Sequence, residues 1–304
     1  MDHVRLSLFF LALIPFGLIA QERDWAFVHH TPRSQYMFPQ EASPVYVLRG
    51  ASALRSAPST DAPLIMSLAP GRSVIVEERI PDTLVVDGVR SNWYRVSAGD
   101  RTGWIWGGNL TGQAFGGTAD PTVKFFAGLD HVVPPDTSRI DVSFRIVAVK
   151  DGKEIDRIVV RSPAWSFEAV RNAGNLGLRN VDDVILLDVP CIGGCGCTTG
   201  MVVVFWSGGR FHHVADLLGS PDGDYSTDEN FIFPSNIEGL PGVIIRETSN
   251  YLDPDEEKRK REEDEEGPSI TRTLVREYLR WDGRALIPTG KDTERMSYRL
   301  SVGH

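Results

Sequence analysis

The chain has 304 residues, 24% of them charged and 41% hydrophobic, with a formal net charge of −9 at pH 7. That length supports two modest domains with hydrophobic cores of their own. The acidic balance argues against the phosphate backbone of nucleic acid as a partner, because affinity there comes largely from clustered Lys and Arg.

The opening "MDHVRLSLFFLALIPFGLIA" places His3 and Arg5 before an apolar run from Leu6 to Ala20, and the sequence then turns abruptly to "QERD". This is the layout of a secretory signal peptide over residues 1–20, with Ala20 at the cleavage point. The run is shorter than the ~20 residues that a spanning helix needs. No second long apolar run follows, so the expectation is an exported chain, periplasmic or extracellular, with no membrane span after signal cleavage. Residues 21–41 are polar and irregular, with Pro32 and Pro39, and read as a linker.

From Val45 the pattern changes to short alternating runs separated by Gly, Pro, Asp and Ser, the mark of half-buried strands. "NWYRVSA" and "RTGWIWG" are joined by Gly99 and Asp100, residues suited to a tight hairpin turn. Several short strands in so few residues imply a small barrel. Alternation puts Trp93 and Arg95 on one face, Tyr94 and Val96 on the other, and Trp104 with Trp106 on a shared face.

Beyond Asp120, "IDVSFRIVAVKDGKEIDRIVV" reads as a hairpin about Asp151-Gly152. "SPAWSFEAVRNAG" reads as one short helix, with Ser162 as its N-cap, Pro163 in the first turn and Gly174 as its stop. An internal repeat follows. "VDDVILLDV" and "TGMVVVFWSGGRFHHV" are echoed by "LPGVIIRETSNY" and "TRTLVREYLRWDGRALIP", so that Trp206 answers Trp281 and Arg210 answers Arg284. Fixed-order similarity of this kind implies repeated β-hairpin units. The insertion at 252–268 carries dense charge of both signs without an apolar face, and reads as a solvated surface excursion.

Residues 42–113 resemble a known module. "ALRSAPSTDAPLIMSLAPGRSVIVEER" followed by "NWYRVSAGDRTGWIWGGNLT" is similar to the bacterial SH3-type domain, SH3b, with Leu54, Arg55, Ser56, Pro58, Gly71, Trp93, Tyr94, Gly103, Trp104 and Leu110 in the family's order. Ala53 departs from the family's frequent Asn, and "RIPDTLVVDGVRSN" is longer than usual and would enlarge a loop beside the groove. The fold class that follows is mainly β: a small SH3-like barrel, then a β-rich domain of repeated hairpins with one short helix over 114–304. The resemblance implies binding of cell-wall peptidoglycan, particularly its peptide part, and the expected function is a non-enzymatic binding protein for that or another envelope ligand, such as an envelope protein. Tyr94 and Trp106, aromatics with a polar handle, are assigned to its groove with Arg55 and Asn92 beside them, and Trp104 to the core.

Other chemistry competes for the C-terminal half. Cys191, Cys195 and Cys197 lie in "PCIGGCGCTTG"; in an exported chain a close pair reads as a disulfide, with the third thiol left over. Three Cys with His212 or His213 would be enough ligands for zinc, but the spacing lacks the paired C-x2-C of strong zinc motifs. Cys197 with either histidine is a conceivable nucleophile and base. Asp222, Asp224, Asp228 and Glu229 have calcium-like spacing without an EF-hand's glycine and closing glutamate. The expectation is no cofactor and no metal, the alternative being a cell-envelope hydrolase or metal-dependent enzyme with its site in the C-terminal domain.

Overall fold

The computed structural model describes residues 44–133, 141–162, 167, 169–189, 198–222, 225–252 and 269–301. The expected signal peptide, the linker, all three cysteines and the insertion, save its first residue, lie outside them. The described chain is nearly all β, as expected.

The first sheet holds β1 (Pro44–Val47), β2 (Ser52–Arg55), β3 (Leu64–Leu68), β4 (Ser73–Val86), β5 (Val89–Ala98), β6 (Arg101–Trp106) and β7 (Leu110–Thr111), in the order β3-β2-β6-β5-β4-β1-β7. It encloses a core of Val45, Val47, Leu54, Leu68, Val74, Tyr94, Val96 and Ile105. The second sheet holds β8 (Gln113–Gly116), β9 (Val123–Val133), β10 (Asp141–Lys150) and β11 (Lys153–Arg161), ordered β11-β10-β9-β8.

The third sheet holds β12 (Ala169–Asn172), β13 (Asp183–Val189), β14 (Thr199–Ser207), β15 (Arg210–Asp222), β16 (Tyr225–Ile232), β17 (Ile244–Leu252), β18 (Ser269–Trp281), β19 (Leu286–Pro288) and β20 (Glu294–Ser301). These run in sequence order from β12 to β19, and β20 pairs with β18. The hairpin expected at Asp151-Gly152 is β10–β11, with both turn residues at positive φ.

The helix expected from Ser162 to Gly174 is corrected: Ala169–Asn172 is a strand paired with Asp188–Ile185, and residues 163–166 and 168 lie outside the described set. Val170 is buried against the second sheet, and pairing with β13 overrides the capping pattern. The repeat holds at its tryptophans but not at its arginines, since Arg210 opens β15 opposite Ser207 whereas Arg284 lies in the bend before β19. Trp206 stands opposite Phe211 across the β14–β15 turn, and Trp281 opposite Leu286 across β18–β19.

The second sheet is the middle layer. One face sets Phe125, Phe144 and Ile146 against Phe167, Ile185, Val204, Trp206 and Phe211 of the C-terminal segment. The other sets Phe126, Val147 and Val149 against Leu48 and Tyr46 of the first sheet. Both faces are buried, so the middle of each strand, Phe125–Ala127 of β9 and Ile146–Val149 of β10, is a continuous apolar run. The third sheet bends strongly, because Phe205 on β14 meets Trp281 on β18 with ring centroids 5.1 Å apart. Four flat strand spacings would hold them roughly 19 Å apart. The bend falls along β15, whose first part pairs β14 and whose end pairs β16.

Candidate functional site

The aromatic stretch from Trp93 to Trp106 builds two surfaces. Tyr94, Val96 and Ile105 point into the first sheet's core, where Tyr94 is wholly buried. Burial pushes the Tyr94 hydroxyl up to about 12, against an opposing pull from the Arg79 guanidinium. Trp93 and Trp106 point outward, yet both are buried, because Val132 and Val142 of the second sheet cover them with Val89. Trp106 Nε1 donates to the Leu84 carbonyl at 3.1 Å.

Three of the four residues assigned to a groove are therefore corrected. Tyr94 belongs to the core, and Trp106 lies beneath the middle sheet. Asn92 is buried and donates from Nδ2 to the carbonyls of Ile80 and Pro81, at 2.9 and 3.1 Å. It fastens the irregular stretch of β4 between Arg79 and Thr83, where the register with β5 shifts. The long segment before Trp93 is no loop: it continues the β4–β5 hairpin to a turn at Asp87-Gly88, both at positive φ. That Asp-Gly pair was the available signal. Alternation gave the faces correctly, but nothing local showed that a second sheet covers the outer one.

What remains accessible is a row across the outer face. Trp104, assigned to the core, is half-buried there; it stands opposite Arg95 on one side and Arg55 on the other. Arg55 in turn stands opposite Leu64, and Arg95 opposite Glu78. Arg55 Nη1 donates to the Ala62 carbonyl at 2.6 Å, which ties the guanidinium to the β2–β3 connection. Arg95, nearly half exposed, meets Glu77 at 3.6 Å and Glu78 at 4.0 Å. Such exposed, long ion pairs are weak. Leu64 is 55% exposed at the sheet's edge. The row thus offers apolar surface flanked by two cations.

The other candidates are taken up by structural roles. His213 Nε2 meets Asp216 Oδ1 at 2.8 Å, a hydrogen bond that raises its pKa, and His212 lies edge-on to Trp281. Asp228 and Glu229 are neighbours on β16, so they face opposite ways, and Glu229 holds Arg246 through both oxygens at 2.9 Å. Asp222 ends β15, while Asp224 and the cysteines lie outside the described residues. Among the described residues, no three His, Cys, Asp or Glu side chains converge on one point.

No curated protein and no solved structure matches the chain. Residues 50–111, the strands that carry the aromatic stretch and its exposed row, match the family of the bacterial SH3 domain, and the remainder of the chain matches no family.

Proposed function

We propose that the chain is an exported binding protein without enzymatic activity of its own, whose SH3 module engages the peptide part of cell-wall peptidoglycan. The observation that carries this reading is the row Leu64–Arg55–Trp104–Arg95 on the module's open face. A wall peptide alternates small aliphatic side chains with carboxylates. An indole edge with a leucine receives the first, and guanidiniums on both sides receive the second. Trp and Arg are also the residues that most often dominate a binding interface. The apolar N-terminus, residues 1–20, supports export of the chain to that ligand. In this reading residues 42–113 are the wall-binding domain and residues 114–304 carry it.

The test is co-sedimentation of the protein with purified wall sacculi, comparing the unmodified chain with Trp104→Ala and Arg95→Ala. Each variant is expected to bind at least about tenfold more weakly while keeping its β circular dichroism. Sacculus binding unchanged in both variants would remove the reading's physical basis.

A further inference from the structure

The bent third sheet leaves a cleft of about 500 Å³, lined by no residue of the SH3 module, with a floor of Leu186, Met201, Leu217 and Phe231. Its size is that of a working binding site. The turn after β16 forms part of the rim and carries Ile237, whose side chain is fully exposed. That turn is firmly held. Asn236 Oδ1 accepts from the Phe233 amide at 2.6 Å, the Gly239 amide donates to the Asn236 carbonyl at 2.9 Å, and the Ser235 amide donates to Leu176 at 3.1 Å. A bare isoleucine on a rigid turn is a pre-organised apolar knob, and Leu240, 38% exposed, adds to it.

Charge follows the same pattern. Glu238, next to the knob and 58% exposed, shares Arg276 with Glu247, and Glu247, only 14% exposed, is the better-buried partner at 2.7 Å. Arg276 would keep its counter-ion if Glu238 turned away. Arg171 on β12 also lines the cleft; it is 49% exposed and donates to both Asp188 oxygens, at 3.2 and 3.5 Å. An apolar knob followed by an acid therefore lies beside an apolar hole bordered by a half-exposed arginine whose pair with Asp188 is long and solvent-facing.

A knob and its complementary hole on one face are what a two-fold contact requires, since each copy then gives the knob and receives it. We infer that the occupant of the cleft is a second copy of this chain: Ile237 enters the partner's cleft, and Glu238 turns from Arg276 toward the partner's Arg171. The contact is small, so the dimer is weak, and it leaves both SH3 modules' rows outside the interface.

Sedimentation velocity on the full chain from roughly 1 μM to 1 mM covers the range in which small interfaces dissociate. A concentration-dependent dimer is expected, weakened at least about tenfold by Ile237→Asp and by Arg171→Glu. The double variant Arg171→Glu with Glu238→Arg should restore most of what Arg171→Glu alone loses, because it re-forms the pair with its charges exchanged. Ile237 is exposed, so its variant should keep the native circular dichroism spectrum. A monomer throughout the range overturns the inference. So does a dimer indifferent to Ile237→Asp, or a monomer whose cleft is filled by a co-purifying small molecule. Sacculus binding by Ile237→Asp should be unchanged, which separates failure here from failure of the wall-binding reading.

Discussion

Aromatic side chains pack on both faces of the middle sheet, but the two contacts differ in emphasis. Toward the third sheet the contact is bulky and aromatic: Phe125 lies 5.4 Å from Trp206 and 5.7 Å from Phe211, and Phe144 lies 5.0 Å from Phe167, centroid to centroid. Toward the SH3 module the contact is close and directional. A Cβ on Gly88 would stand 1.6 Å from the Val132 carbonyl oxygen, and one on Gly128 would stand 2.7 Å from Leu48. Arg49, 13% exposed, lies over the Trp106 ring, donates to Asp87 at 3.1 Å and donates to the Asp130 carbonyl, while Arg145 grips the Asp130 carboxylate at 2.6 Å. Apolar packing alone is non-directional. A backbone contact at a glycine and a charged cluster fix orientation, so the first face supplies cohesion and the second sets how the module is held.

The largest expected effect is on the aromatic face. Phe125→Ala removes a fully buried ring from the centre of that cluster and should cost on the order of 3–5 kcal/mol. Chemical denaturation measures it; a loss under about 1 kcal/mol would mean that the two layers hold together by other contacts. The next effect belongs to the SH3 module's own core. Tyr94 has its folded-state pKa raised from 10.0 to about 12, so burial of its neutral hydroxyl stabilises fully below pH ~10. That contribution is lost as pH rises through about 12, and the two-unit shift corresponds to about 3 kcal/mol. An alkaline melt should show the module's tryptophans becoming wet before the aromatic face yields, and Tyr94→Phe should flatten the limb between pH 10 and 12.

These two residues also mark what could be read from the sequence. The faces of β5 and β6 followed from alternation, since strand geometry is local, and so did the turns at Gly99-Asp100 and Asp151-Gly152. The repeat predicted the shared hairpin register at Trp206 and Trp281. The assignment of Trp106 to a groove failed for a non-local reason, whereas Tyr94 lies on the opposite face and fills the module's own core. Which side of a strand is wet depends on what packs there, and Val132 and Val142 arrive from a different sheet. The helix expected before β13 failed in the same way, because local capping signals are worth less than the burial of Val170 and pairing along β13. The cleft had no sequence signal, since its floor is shared by four successive strands, β13 to β16, and no local pattern records the curvature that hollows them into a cleft.

The directional face can be broken without touching a large side chain. Gly88→Ala places a methyl group against the Val132 carbonyl at a residue with φ of 75°, a conformation that itself disfavours alanine. A cost of about 1–3 kcal/mol is expected. Loosening should concentrate at the contact: Trp93 and Trp106 emission should shift to the red, and proteolysis should cut between β7 and β9, while the aromatic cluster about Phe125 stays protected. Uniform loss of protection in all three sheets would show that the two faces do not act separately. Arg49→Met keeps an apolar stem of similar length but removes the guanidinium over Trp106 and its hydrogen bonds to Asp87 and Asp130, and should cost about 1–2 kcal/mol. Half of that network is exposed at Asp87, so the difference between Arg49→Met and the unmodified chain should shrink as salt is added.

The smallest stability effect should come from the outward row, and its smallness is informative. Trp104 shares its face with Trp106, but it lies at the margin of the cluster under the middle sheet and is only half-buried. Its removal exposes little that was dry, so Trp104→Ala should cost about 1 kcal/mol or less, well below the 3–5 kcal/mol of a fully buried aromatic. Trp106→Ala, two residues on and 5% exposed, should fall in the severe class and loosen the module from the middle sheet. If the two substitutions cost the same, the middle sheet covers the whole outer face and leaves no room for a ligand at Trp104. If they differ as expected, the same strand that docks the module also presents a tryptophan left accessible on its outer face, and a sacculus-binding assay on the folded Trp104→Ala protein reads binding without a stability artefact.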